Sequence, residues 1–375
     1  MVFLIATLVA HVSVVDGRAA IVRAGGGAVA ALRNAPLLVG DTLLTHRGSR
    51  AEIQFDPNVA VRLDQSTRVQ IIGLAYGRRE VRVIAGSVAA SMLREDDAPK
   101  IDTPPVGLQP VKPGLYRVTV TAGQADIDVR RGTMMIRTPN GSQVLTPGET
   151  VSVTGPSAQP DLHYGSPQPS DAFDAYNASR DAAILAAQRE WRLPSSLAGY
   201  VNLREYGSWI TLKSYGIAWR PREYPGWAPY RLGRWFWRSG TGWVWIPRES
   251  WGWLPYHYGA WKYDVRQGWC WIPPRSRFPA WSASTAIFFA LIRHGRTQSI
   301  GWLPLAPGEP FRSTLGSYRN ARSPGAITLL AVGDFYAGLF SKLSAPPPNR
   351  IPAGARLEEP PSPRRYHSVP SPSRM

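Results

Sequence analysis

The 375-residue chain has one cysteine, five methionines and no tryptophan before position 191. A single thiol excludes a disulfide framework and a cysteine-based zinc cluster. Acidic residues are also scarce: 26 Asp and Glu stand against 43 Lys and Arg, a formal charge of +17. No apolar run reaches 18 residues, which predicts no internal membrane-spanning helix. No GxSxG, P-loop or Rossmann glycine signature occurs. The six histidines (His11, His46, His163, His257, His294 and His367) form no metal-ligand spacing. The pattern therefore predicts no metal, no cofactor and no enzyme. The apolar content of 44% still excludes a wholly disordered chain, and the length suits two or three domains.

What is present is unevenly placed. All 15 tryptophans lie between Trp191 and Trp302, and the segment 191–320 carries +12 of the net charge. Basic residues among aromatics suit single-stranded nucleic acid, anionic polysaccharide or an anionic membrane surface. They also suit plain packing, with Arg stems lying over aromatic faces. Packing is favoured, because no nucleic-acid motif accompanies the charge. At the other end, MVFLIATLVAHVSVV opens on a nine-residue apolar stretch without a basic start or a small-x-small cleavage site. Residues 1–9 read as a truncated signal segment or, alternatively, as the first buried strand.

Residues 10–155 alternate in short apolar runs broken by Gly, Asp and Pro, which predicts an all-β domain, a sandwich or solenoid-like sheet. In one such run Ala51, Ile53 and Phe55 share a face, and Glu52 and Gln54 take the other. Gly40-Asp41 fits a turn in which Gly supplies positive φ and Asp bonds back to the backbone. A catalytic or metal role for Asp41 is disfavoured. Glu95-Asp96-Asp97 reads as a solvated loop, without calcium-loop spacing. The order of Gly40, Asp41, Leu43 and Thr45, the strand entry Ser49 to Glu52 and a later strand at Gly86 resembles the FecR domain. That resemblance implies its fold and an envelope location. Family members in iron signalling carry a cytoplasmic anti-sigma segment and a membrane span before this domain. Neither is read here, so sigma-factor regulation is not implied.

Residues 156–195 read as a Pro/Gly/Ser-rich linker and one helix, capped by Ser170, with Asp171 and Asp174 near its positive end. Phe173, Tyr176, Ile184 and Ala187 give an apolar stripe for docking on a neighbour. Residues 196–343 hold a repeat of 26 residues: GWAPYRLGRWFWRSGTGWVWIPRE from 226 overlays GWLPYHYGAWKYDVRQGWCWIPPR from 252. A weaker copy begins at Gly207. Each unit predicts a β-hairpin in which Trp235, Trp237, Trp243 and Trp245 can share one face. Gly233 and Gly259, at equal repeat positions, supply turn geometry or close approach of backbones. One such unit cannot dry its own apolar face, so neighbouring units should stack. Residues 344–375, with nine prolines, predict a disordered tail.

The paired-ring hairpins are similar in design to choline-binding and other cell-wall-binding repeats. LAGYVNLREYGSW, the GWxPYxxGxW units and IGWLPLAPGEPF together resemble an uncharacterised bacterial Trp-rich domain that commonly follows FecR domains. That resemblance implies no assigned activity. If some rings line an aromatic groove, the candidates are Trp227, Tyr230, Trp235, Trp237, Trp253, Tyr256, Trp261 and Tyr263, with Arg234. Cys270 aligns with Val244 in a strand and reads as a packed side chain. Glu223 and Glu249 recur by repeat copying rather than as an acid/base pair, and Glu309 reads as a turn residue. The expectation is a mainly β, non-catalytic envelope protein, periplasmic or extracellular, that binds a polysaccharide such as peptidoglycan or an envelope protein. The alternatives are a signalling or assembly module acting through the FecR-like domain and, disfavoured, a nucleic-acid-binding protein.

Overall fold

The computed structural model describes residues 9–24, 26–75, 78–95, 98–190, 197, 199–276, 280–310, 314–343 and 351–363. All but the last residue of the 1–9 segment lie outside them, as do Asp96 and Asp97. The chain is mainly β and divides into two compact units, Met1–Val201 and Asn202–Met375.

Among the described residues of the first unit, seventeen strands form two faces that share the strand Arg78–Met92. One face runs Pro36–Leu37, Ala10–Asp16, Arg50–Asp56, Val59–Leu63, the second half of the shared strand, Gly114–Thr121, Gln124–Arg131, Thr150–Thr154 and Asp161–Gly165. The other runs Ala28–Ala30, Ala19–Val22, Thr42–Thr45, Arg68–Ala75, the first half of the shared strand, Lys100–Asp102, Gly107–Pro110, Met134–Thr138 and Gly141–Leu145. Lys100–Asp102 alone runs parallel to the shared strand. The chain crosses from face to face every hairpin or so, which is why the sequence shows strands at short, regular spacing. Val12, Ile53, Val61 and Val88 from one face and Ile21, Leu43, Val81 and Ile101 from the other belong to a single aliphatic core. The shared strand changes face at Gly86, where φ is +87° and a Cβ would fall 2.5 Å from the Thr67 hydroxyl. Only glycine fits there.

Gly40 also has positive φ, +90°. The Asp41 carboxylate is buried, accepts the Leu38 amide at 2.9 Å and pairs with Arg23. Its role is to close the turn. The segment read as a linker begins instead with the edge strand Asp161–Gly165. The helix Ala172–Glu190 is capped by Asp171, not by Ser170: the Asp171 carboxylate accepts the amides of Phe173 at 2.9 Å and Asp174 at 3.0 Å. Phe173, Ile184 and Ala187 are buried as the stripe predicts.

The larger departure is that this helix covers the second side of the sheet. Arg50–Asp56 is therefore buried on both faces from Ala51 on, and Glu52 is fully enclosed. The Glu52 carboxylate meets Arg62 at 2.7 Å and Arg180 of the helix at 2.7 Å, and Arg62 reaches Asp181 at 2.8 Å. Burial alone would push the Glu52 carboxyl up. The two guanidiniums outweigh it and hold the group far below the ordinary carboxylate range.

The second unit contains the predicted hairpins: Gly207–Leu212 with Gly216–Pro221, Gly233–Arg238 with Gly242–Pro247, and Ala260–Asp264 with Gly268–Ile272. Each places a tryptophan pair directly across the strands: Trp209 opposite Trp219, Trp235 opposite Trp245, Trp261 opposite Trp271, with Trp237 opposite Trp243 as a second pair in the middle hairpin. The glycine that opens each hairpin lies under the far indole. A Cβ at Gly207 would fall 2.4 Å from the Trp219 ring, and one at Gly233 2.4 Å from Trp245. At Gly259 it would fall 2.2 Å from the Ile272 carbonyl. The turn glycines Gly216, Gly242 and Gly268 all have positive φ, as does Gly259. Stacking is not sequential: the first and third hairpins join into a four-stranded sheet through Trp219 and Trp271, and the second stands as its own ribbon. A further sheet orders Thr328–Ala331, Arg296–Pro304, Ala286–Arg293 and Ala355–Leu357. The last of these strands lies inside the Pro-rich segment, whose residues 351–363 are described.

Candidate functional site

The aromatic rings of the second unit are mostly its core. Among the described residues no tryptophan is exposed, and Trp219, Trp245, Trp251, Trp253, Trp261, Trp271 and Trp302 are fully enclosed. Edge-to-face and tilted ring contacts run from Trp219 through Trp251 and Trp227 to Trp261 (4.9, 5.7 and 5.6 Å between centroids). Others link Tyr256, Tyr230, Trp235 and Trp302. Some buried rings set their polar edge on a backbone carbonyl: Trp302 Nε1 donates to Tyr230 at 2.9 Å and Trp271 Nε1 to Tyr258 at 2.7 Å.

This burial corrects most of the predicted groove. Tyr230, Trp235, Trp253, Tyr256 and Trp261 have no face to offer a ligand, because the hairpins close on one another over their ring planes. Trp237 and Arg234 are half-buried on the second hairpin. Trp227 and Tyr263 do meet at one concavity. It is an open cleft of about 590 Å³ where the loop after the first hairpin faces the turn of the third. Its wall also includes Arg220, Arg222, Glu223, Tyr224, Arg231, Gln267, Trp269 and Pro324.

The cleft is built as follows. Tyr263 stands opposite Trp269 across the third hairpin, with their rings edge to face at 5.6 Å. Trp269 Nε1 donates to the Pro324 carbonyl at 2.9 Å, fixing the far wall. Arg220 donates to Gln267 at 3.0 Å across the floor. Arg222 and Tyr224 project from the loop, and Tyr224 is 56% exposed, so its ring is an open platform. Three guanidiniums thus line a cleft whose single carboxylate, Glu223, already accepts Trp251 Nε1 at 3.0 Å. Such a lining favours negatively charged groups. Sequence reasoning missed Arg220, Arg222, Arg231, Tyr224 and Trp269 because it weighed rings by repeat position. The PRExxGW connection after the first hairpin was the available signal, since a loop between repeats escapes the stacking that buries the strands.

Behind Glu223 sits its repeat equivalent, Glu249. It is buried and accepts the Tyr256 hydroxyl at 2.8 Å. Burial, with the nearby Glu223 charge adding to it, pushes the Glu249 carboxyl up to about 7. Both repeat glutamates thus anchor aromatic donors. Burial pushes the Cys270 thiol up to about 12, among Leu212, Ala218 and Ile272. His257, enclosed between Trp253 and Trp281, is lowered to about 4 by the same cause. Glu309 holds a turn, accepting the amides of Ala306 at 3.0 Å and Arg319 at 2.8 Å. Among the described residues no three His, Cys, Asp or Glu side chains gather as metal ligands, and no helix is long and apolar enough to cross a membrane.

Comparison with known proteins gives two family matches. Residues 41–135 match the family described as FecR protein, and residues 200–309 match a family of unknown function, DUF6600. No curated protein matches the chain. Two crystal structures of "a putative anti-sigma factor" from Parabacteroides distasonis are 15% identical, with a TM-score of 0.29, over 34% of this chain. The chain spans 60% of the length of those structures. The protein thus joins a β-sandwich unit whose residues 41–135 match the FecR family to an aromatic hairpin module that matches a family of unknown function.

Proposed function

We propose that the protein is a non-catalytic cell-envelope binding protein whose aromatic module takes an acidic glycan of the cell wall or surface in the Arg220–Arg222–Arg231 cleft. The observation that carries this reading is the excess of three guanidiniums over one already engaged carboxylate, beside the open ring of Tyr224. Guanidiniums suit carboxylate or phosphate groups, and a flat ring suits the apolar face of a sugar. The FecR match supports an envelope location. A non-catalytic role is supported by the occupation of both repeat glutamates as acceptors for buried aromatic donors.

The test is binding of the full chain to isolated peptidoglycan and to a panel of acidic and neutral polysaccharides. Acidic glycans should bind, and Arg222→Gln with Arg231→Gln should weaken them about tenfold, as expected for two charge contacts, one exposed and one half-buried. Absence of binding across the panel overturns the glycan reading. Tight binding to single-stranded nucleic acid, with steep salt dependence, would replace it. A second reading, a signalling or assembly module working through protein contacts, is favoured by the outer strand Asp161–Gly165 of the FecR-containing unit. That strand is mostly exposed and pairs on one side only, leaving a row of backbone groups open to a partner strand.

A further inference from the structure

One surface of the aromatic module already holds a peptide. After the turn at Gly354, Ala355–Leu357 pairs with Phe289–Leu291 as the outermost strand of its sheet. The chain then continues as Glu358-Glu359-Pro360-Pro361 across the second hairpin. Trp243 Nε1 donates to the Pro360 carbonyl at 2.9 Å, and the Tyr336 hydroxyl donates to the Pro361 carbonyl at 3.0 Å. Pro360 is buried. The receiving surface is aromatic: Trp243 contacts Trp237 at 5.5 Å, Phe335 at 4.8 Å and Tyr336 at 6.0 Å. The Glu359 carboxylate lies so close to the turn of the hairpin that a Cβ at Gly242 would stand 3.0 Å from it.

Indole and phenol donors bonding proline carbonyls on an aromatic surface are the chemistry by which proline-rich segments are recognised generally. Proline supplies an extended, low-entropy chain that lacks its own amide donors. From this geometry we infer that Trp243, Phe335 and Tyr336 form a binding site for an acidic, proline-rich peptide, occupied in cis by residues 358–361. The surface lies apart from the Arg220–Arg222–Arg231 cleft and does not depend on the glycan reading. The strand Ala355–Leu357 is held by pairing and by packing of Ala355 and Leu357 on the core of its sheet, whereas residues 358–361 are held through the bonds from Trp243 and Tyr336. Occupancy of the site by residues 358–361 therefore leans on tethering, which supplies an effective concentration on the order of millimolar. A partner segment of the same chemistry exchanges with it.

The experiment uses the full chain and a fluorescently labelled peptide, PAGARLEEPPSP, which reproduces residues 352–363. Pro360→Asp should expel the cis segment, because it would bury a carboxylate against indole. The P360D chain should then bind the peptide at least about tenfold more tightly than the unaltered chain. Tyr336→Phe in the P360D background should weaken that binding, and a peptide carrying the same Asp should not bind. Equal binding by the unaltered and P360D chains, or none by a P360D chain that keeps its cooperative tryptophan transition, overturns the inference. A second measurement avoids any variant: excess peptide added to the unaltered chain should speed hydrogen exchange at residues 355–357. Unchanged exchange at saturating peptide would show the segment to be a fixed part of the sheet, and the proposal fails.

Discussion

Each of the two units encloses a glutamate, and the two are treated in opposite ways. Glu52 in the β-sandwich unit is ionised, clasped by Arg62 and Arg180, and held well below the usual carboxylate range. Glu249 in the aromatic module has a tyrosine hydroxyl beside it, no arginine among the groups shifting it, and a carboxyl raised to about 7. The difference follows from what each unit packs. The sandwich docks a helix through polar side chains, so its buried charge arrives with partners. The hairpin module packs indole on indole, which offers hydrogen-bond donors but little to balance a charge. One unit fixes a helix by ion pairing, and the other fixes its rings through hydrogen bonds to a carboxyl that can stay neutral.

The largest effect is expected at Arg62. Replacing it by alanine leaves Glu52 and Asp181 enclosed with one cation fewer, at a cost of about 3–5 kcal/mol. Fourteen of the 15 tryptophans lie from Trp209 on, so fluorescence reports the module and far-UV circular dichroism also sees the sandwich. Arg62→Ala should lower the denaturation midpoint by dichroism and leave the fluorescence midpoint in place. A common shift of both would break the division into two units.

Acid and base should also separate them. The folded-state pKa of Glu52 is lowered, so its contribution is full above about pH 4.5 and drains away as pH falls below that. That of Glu249 is raised to about 7, so its contribution is full below pH 4.5 and is lost as pH rises through 7. The module should therefore lose up to about 3 kcal/mol between those values. Glu249→Gln should flatten that slope in urea midpoints read by fluorescence. A slope that survives the substitution would place its origin elsewhere.

Much of this architecture is legible in the sequence, for reasons that can be stated residue by residue. The hairpins are legible because Gly207, Gly233 and Gly259 recur every 26 residues, and each sits beneath the indole or backbone of the returning strand. Burial of particular rings is not legible, because period-two alternation assigns Trp235 to a face without saying what closes over it. The closure depends on the first hairpin joining the third, a pairing that no local pattern encodes. Alternation likewise places Glu52 and Gln54 on the face opposite Ala51, Ile53 and Phe55. What covers that face is the helix, through Asn177, Arg180 and Asp181, polar residues outside its apolar stripe. Gly233→Ala tests the legible part. The new methyl would meet the Trp245 ring and the Ile246 carbonyl, costing about 1–3 kcal/mol by fluorescence-detected unfolding. Gly333→Ala, in open space within a short helix, should cost nothing or add up to about 1 kcal/mol. Equal losses at the two positions would remove the steric reason for the repeat glycine.

The smallest expected effect lies between the two repeat glutamates themselves. Glu223 borders the cleft and Glu249 the core, and the charge of the first adds to the elevation of the second, behind the larger effect of burial. Glu223→Gln removes that charge and leaves an amide oxygen to accept Trp251 Nε1. The module's loss of stability toward neutral pH should then begin at about the same pH but reach a smaller total, by less than about 1 kcal/mol. The Glu249 titration, followed by carboxyl NMR, should move down without returning to the ordinary range, since burial remains. An unmoved titration would mean that the cleft carboxylate is too well screened to reach the core. Ligand charge arriving beside Arg222 would then leave Glu249 unaffected as well. A return to the ordinary range would mean that Glu223, not burial, sets the protonation of Glu249, and the contrast with Glu52 would rest on a neighbouring charge rather than on what each unit packs.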